Sequence, residues 1–127
     1  MNDMISPIAN KVHTIFVHVT DLERSVLWYT KLLGQEVDLE DVCEPVYNLK
    51  IDHHTGVVLD AGPEGERKQV DPSKHPIFNF HTDDIHQAYT YVKKLGYKIV
   101  SEPIHFDDLS FFTVEDPDGN VVMVCTG

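Results

Sequence analysis

The chain has 127 residues, enough for one domain with a full core. Apolar residues make up 42% and charged residues 24%, as in an ordinary globular protein, while the net charge of −11 argues against nucleic acid and anionic membrane surfaces as partners. The longest apolar run, from Val121 to Cys125, is far below the ~20 residues of a membrane span.

Met1, Asn2 and Asp3 give no basic start, and no apolar stretch follows, so no signal peptide is expected. That implies a cytoplasmic location, with Cys43 and Cys125 as reduced thiols. Residues 12–19 are rich in β-formers and predict a strand. It ends at Thr20-Asp21, either of which can N-cap a helix with the apolar stripe Leu22, Val26, Tyr29 and Leu33. Gly34 follows as the terminator. Tyr29 is expected to face inward, and Trp28 to sit at a helix edge or a dimer contact. Three β segments are expected at residues 35–42, 45–52 and 56–61. Residues 62–75 are polar and broken by Gly and Pro, and read as a surface loop long enough to be a lid over a site.

The pattern then restarts. Residues 76–81 predict a strand, and Asp83-Asp84 opens a helix with the stripe Ile85, Ala88, Val92 and Leu95, ended by Gly96. Strands are expected at residues 97–102, 104–114 and 120–125, with an irregularity at 106–110. Asp21-Leu22, Tyr29 and Leu33-Gly34 recur as Asp83-Asp84, Tyr91 and Leu95-Gly96 at a constant offset, so the two halves are one repeat of order βαβββ. Such a half cannot bury both faces of its sheet alone. The expected fold is α+β: one domain over residues 8–127, with halves at about 10–62 and 75–127, forming a curved mixed sheet around a cavity with helices outside.

The last two β segments flank Asp116-Pro117-Asp118-Gly119-Asn120. Pro fixes φ at the second position of a type I turn, Gly closes it, and the Asp116 carboxylate can accept from the turn backbone. That hairpin resembles the closing hairpin of the vicinal oxygen chelate superfamily, which includes glyoxalases, bleomycin- and fosfomycin-resistance proteins and extradiol dioxygenases. The opening strand with Asp21-Leu22, Ser25, Trp28-Tyr29 and Leu33-Gly34 looks like the start of such a domain, so the resemblance spans residues 12–125.

In metal-using members of that superfamily a His or Gln stands seven residues before the helix-starting Asp, and a Glu lies on the last strand. The matching positions here are Thr14, Ile77 (Pro76 if the second half is aligned on Gly96) and Met123. The first-half counterpart of the Glu lies near Leu59, Asp60 and Ala61, of which only Asp60 is a hard ligand. A catalytic divalent ion needs about three protein ligands plus an open position. The expectation is that this chain holds no metal and no other cofactor.

Side chains alternate along a strand, so Phe16 and His18 share a face with Thr14, and Asn79 and His81 share one with Ile77. Together with Tyr47, Phe111 and Met123 they form the expected ligand-binding set. His18, His81 and Asn79 would orient the ligand, and Phe16, Tyr47 and Phe111 would supply apolar contact. Of the other histidines, His13 is expected on the opposite face or rim, His53-His54 in a solvated turn, His75 and His86 exposed or structural, and His105 at the start of a strand. No catalytic nucleophile is indicated, and Gly62-Pro63-Glu64-Gly65 lacks the Lys and Ser/Thr of a phosphate loop.

The residues, with the resemblance, imply metal-free binding of a small, largely apolar or aromatic organic molecule, as in the bleomycin-resistance branch, by a protein that the family precedent makes a homodimer. The rival is a metal-dependent lyase, isomerase or dioxygenase with a displaced Zn, Ni, Mn or Fe site built on Asp60 with His18 or His81. A regulatory subunit with a closed, filled cavity is the third reading.

Overall fold

A computed structural model describes residues 5–51, 55–63, 65–66 and 68–127 of the chain. Strand β1 (Thr14–His18) leads into helix α1 (Leu22–Leu32). Of the two capping candidates it is Asp21 that caps, its carboxylate accepting from the Arg24 backbone N–H. Strands β2 (Val46–Asn48) and β3 (Gly56–Asp60) complete the first half. The second half has β4 (Asn79–His81), α2 (Ile85–Lys94), β5 (Lys98–His105), β6 (Ser110–Glu115) and β7 (Val121–Cys125). Asp84 caps α2, accepting from the His86 and Gln87 backbone.

The strands form two mixed sheets rather than one, in the orders β1-β3-β2 and β4-β7-β6-β5. The repeat survives in the topology, since each half pairs its first strand parallel to its last, β1 with β3 and β4 with β7. The first half departs from the expected βαβββ order among the described residues. Its segment at 35–42, the counterpart of β5, forms a 3-10 turn at Leu39–Asp41 instead of a strand. Asp38 explains the change: its carboxylate accepts from Glu40 N at 3.0 Å and its carbonyl from Asp41 N at 2.9 Å. An acidic run of poor β-formers thus takes the local bonds that a ladder would have used.

The second half also differs in detail. The expected strand at 104–114 is divided, because β5 runs on to His105, which ends a strand rather than starting one, and the chain reverses between Phe106 and Leu109. The shifts of register near Ser101 bend β5 against β6. The expected strand at 45–52 shortens to β2; its last residue, Asp52, and the expected turn at His53-His54 lie outside the described residues. Cys43 is exposed, Cys125 is buried, and both are free thiols.

One apolar cluster joins the halves, with Val17, Tyr29 and Leu59 from the first and Val92, Phe112, Val114 and Val122 from the second. Trp28 belongs to it: the residue is 9% exposed and its ring stacks on Tyr97 at 4.6 Å, so it sits in the core rather than at a helix edge. The seam is also polar. Buried Asp116 accepts from Tyr29 Oη at 2.7 Å, Asn120 Nδ2 donates to the His18 carbonyl at 3.0 Å, and Asp118 accepts from the Thr20 backbone at 3.2 Å. The hairpin read from sequence therefore ties the second half to the end of β1. Its Gly119 has φ +90°, and a Cβ there would stand 3.1 Å from Pro72 Cγ, so glycine serves both the turn and the loop packed over it.

Candidate functional site

Alternation and register fix the two faces of the first sheet. Val17 and Leu59 face the core, while Thr14, Phe16 and His18 lie beside Gly56, Val58 and Asp60 on the other face. Asn48 and Val46 of β2 extend that outer face through their pairing with Val58 and Asp60. Tyr47 pairs with Leu59 and packs on the core cluster. This corrects its expected place among the ligand-facing aromatics: the parity of β2, which sequence does not define, turns it the other way.

The second sheet is built likewise. Phe80, Phe112 and Val124 make the side covered by α2, where Tyr89 meets Phe112 at 5.4 Å. The opposite side carries two rows. Asn79, Met123 and Thr113 form one, and His81, Cys125 and Phe111 the other. The expected Asn79, His81, Phe111 and Met123 thus share one face.

They do not share one cavity with the first-half set. Phe16, His18 and Ile77 line a cavity of about 350 Å³ with Lys68, Asp71 and Asn120. Asn79 and His81 line a cleft of about 500 Å³ between the halves, where Ile15 and Val57 face Phe78 and Phe80. Ile77 and Met123 meet in a smaller recess of about 210 Å³. Thr14, Tyr47 and Phe111 line none of these cavities; Phe111 stacks on Phe106 at the tip of the β5–β6 hairpin. The single ligand floor expected from sequence is divided because each half keeps its own sheet.

Imidazole environments separate the two site histidines. His81 is exposed, and its Nε2 lies 2.8 Å from Asp83 Oδ1. That hydrogen bond, helped by the charge of Asp83, holds the ring's pKa above the ordinary histidine value. His13 Nδ1 bonds Thr14 Oγ1 at 2.7 Å, and His105 Nδ1 bonds Ser110 Oγ at 2.7 Å.

His18 has a partner that sequence reasoning did not single out. Lys68 Nζ reaches His18 Nδ1 at 2.7 Å and the Asp60 carbonyl at 2.8 Å, with Asp60 Oδ1 at 3.6 Å. Asp60 Oδ1 also accepts from Gly62 N at 2.9 Å, and the Lys68 stem lies over Gly62. Lys68 separates the Phe16–His18 cavity from one of about 630 Å³ lined by Pro45, Val46, Asp60 and Pro63. The described part of the loop at 62–75, expected as a lid, thus places Lys68 over the outer face of the first sheet. Its one visible signal was Arg67-Lys68, a basic pair in an acidic chain; nothing in the pattern says where a long loop places it.

The metal-ligand positions of related proteins can be tested against this donor set. Thr14 bonds His13, Ile77 and Met123 offer no hard donor, and Asp60 is engaged by Gly62 and Lys68. Among the described residues no group of three His, Cys, Asp or Glu is placed to hold a metal ion. The residues present do not fit a divalent ion at these positions.

Two halves with matching strand topology, one helix outside each and open recesses along their sheets define a tandem-repeat α+β domain. The chain belongs to the Glyoxalase/Bleomycin resistance protein/Dioxygenase superfamily, whose family model matches residues 11–124. Solved structures of similar fold include "Crystal structure of a glyoxalase/dioxygenase from Nostoc punctiforme", with 22% identity, a TM-score of 0.72, and coverage of 98% of this chain and 97% of that one. Another is "Crystal structure of Lactoylglutathione lyase from Agrobacterium tumefaciens", with 17% identity, a TM-score of 0.67, and coverage of 93% and 94%. At such identities the likeness is one of fold. A comparison with curated proteins finds none that matches. Among the described residues no helix is long and apolar enough to cross a membrane.

Proposed function

We propose that the protein binds a small, largely apolar organic molecule with its own side chains and without a resident metal ion. The observation that carries this reading is the donor set: Thr14, Ile77 and Met123 stand where metal-using relatives place ligands, and Asp60 is tied to Gly62 and Lys68. Phe16 and Ile77, 54% and 50% exposed, supply apolar surface to a cavity that also offers His18 and Lys68. Met123 lines a separate, smaller recess that shares Ile77 with that cavity and offers an adaptable apolar surface there. A second copy of the chain closing over these exposed side chains is part of the proposal, and light scattering of the purified protein reports on it.

In the rival reading Asp60 ligates with His18 or His81; in the His18 form, Lys68 Nζ stands 2.7 Å from His18 Nδ1 and 3.6 Å from Asp60 Oδ1, where a second cation is disfavoured. Thermal shift separates the two. The binder melts at the same temperature with and without Zn²⁺, Ni²⁺, Mn²⁺ or Fe²⁺ and is stabilised by members of an aromatic fragment set. A rise in Tm with one of these ions, lost on His18→Ala, overturns the proposal.

A further inference from the structure

The lone pair that His18 presents at Nδ1 is spent on Lys68. An ammonium group has three N–H donors and no acceptor, so at 2.7 Å the imidazole nitrogen facing it must be the acceptor. A neutral imidazole whose Nδ1 accepts carries its proton on Nε2. An N–H on Nδ1 instead would set two donors against each other across that contact. The Asp60 carbonyl takes a second Lys68 proton at 2.8 Å, and the Asp60 carboxylate balances the ammonium charge from 3.6 Å.

We infer that Lys68 acts as an internal cation on the outer face of the first sheet, locking His18 as the Nε2–H tautomer so that the Phe16–His18–Ile77 cavity takes an uncharged apolar molecule bearing one hydrogen-bond acceptor oxygen, such as a ketone, aldehyde or ester. The inference rests on the binding function proposed above and adds the ligand class. Three features set that class. His18 Nε2 has no bonding partner among the described residues, and His18 lines the cavity together with Gln69 and Ser73, so its N–H is a donor open to a ligand there. Lys68 is already paired with Asp60, and Asp71 adds a carboxylate to the lining, so an anion gains no net attraction there. The half-exposed Phe16 and Ile77 set an apolar body for the rest of the molecule.

In this arrangement the one imidazole lone pair, on Nδ1, faces the Lys68 ammonium, which disfavours a second cation at that nitrogen. The residue is a positioning partner in Lys68 and a contacting donor in His18.

The experiment has two arms. In the first, long-range proton–nitrogen correlation spectra of the ¹⁵N-labelled protein near neutral pH report the tautomer of each imidazole. His18 is expected as the Nε2–H form, and in Lys68→Met, with Lys68→Gln as a second variant, it loses that exclusivity while the melting curve stays cooperative. An Nδ1–H form in the parent, or a His18 pattern unchanged in both variants, overturns the inference. In the second arm acetophenone and ethylbenzene, alike in shape but differing in the carbonyl oxygen, are titrated separately. Acetophenone is expected to shift the His18 and Phe16 signals with about tenfold tighter binding, the value of one net hydrogen bond, and His18→Leu is expected to erase the difference. Equal binding of the two probes overturns the acceptor claim and leaves the metal-free pocket standing. Shifts from neither probe contradict the acceptor claim and the pocket together.

Discussion

Replacing Asp116 by alanine is expected to cost more than any other single substitution at the seam between the halves. The carboxylate is 4% exposed and accepts four hydrogen bonds, from Tyr29 Oη at 2.7 Å, Asn120 N at 2.8 Å, and Asp118 N and Asn120 Nδ2 at 2.9 Å each. Alanine removes all four acceptances and leaves the fully buried Tyr29 hydroxyl and the buried Asn120 N–H without partners. Each orphaned buried donor costs about 1–3 kcal/mol, so the sum is about 3–5 kcal/mol. A domain of this size has about 5–15 kcal/mol in total, so the variant is expected to be folded but marginal. Urea unfolding followed by Trp28 fluorescence and far-ultraviolet circular dichroism measures the loss. Tyr29→Phe removes one donor and leaves the carboxylate three others, for about 1–2 kcal/mol. The double variant is expected to fall short of the sum, because the orphaned hydroxyl is gone. A loss below about 1 kcal/mol for Asp116→Ala, or strict additivity, refutes the reasoning.

Three further outcomes are expected. Gly34 has φ +67° with nothing within 4 Å of a built Cβ, so Gly34→Ala carries only the left-handed backbone penalty of about 1 kcal/mol, read as a shift of the urea midpoint; no shift contradicts it. Burial first, and then the charge of Asp116, raises the Tyr29 phenol far above its ordinary value of 10.0, and burial lifts Tyr97 to about 12. Above pH 10 the unfolded chain therefore releases phenolic protons that the folded chain keeps. Stability is then flat below that pH and falls as pH rises beyond it, by up to ~1.4 kcal/mol per pH unit for Tyr29; Tyr29→Phe reduces that slope, and an unchanged slope counts against the assignment. The Asp83 hydrogen bond raises His81, so Asp83→Ala lowers the His81 midpoint in an NMR titration, whereas an unmoved midpoint shows the bond is absent in solution.

Much of the fold was legible because its elements are locally encoded. The stripes on α1 and α2, their Asp caps and the terminators Gly34 and Gly96 follow from helix geometry, and the Asp116–Asn120 turn follows from Pro and Gly at fixed offsets. The segment at 35–42 was misread because Val37 and Val42 mimic a strand while Asp38 bonds its own backbone, a competition that composition does not reveal. The candidate site was less legible. Strand parity placed Phe16 with His18 and Asn79 with His81 on common faces, but β2 is too short for parity to be read, and Tyr47 was assigned to the wrong side. Lys68 stood out only as part of a basic pair, since its place against His18 and Asp60 is set by how the long loop carries it over β1 and β3.

The central claim is that the site works through side chains and not through a coordinated ion. Its most direct test is elemental analysis of the protein after dialysis against a mixture of Zn²⁺, Ni²⁺, Mn²⁺ and Fe²⁺ and removal of free ions. The account expects far less than one ion of any kind per chain, unchanged by Asp60→Ala. One tightly held ion per chain, lost when Asp60 or His18 is replaced, contradicts it.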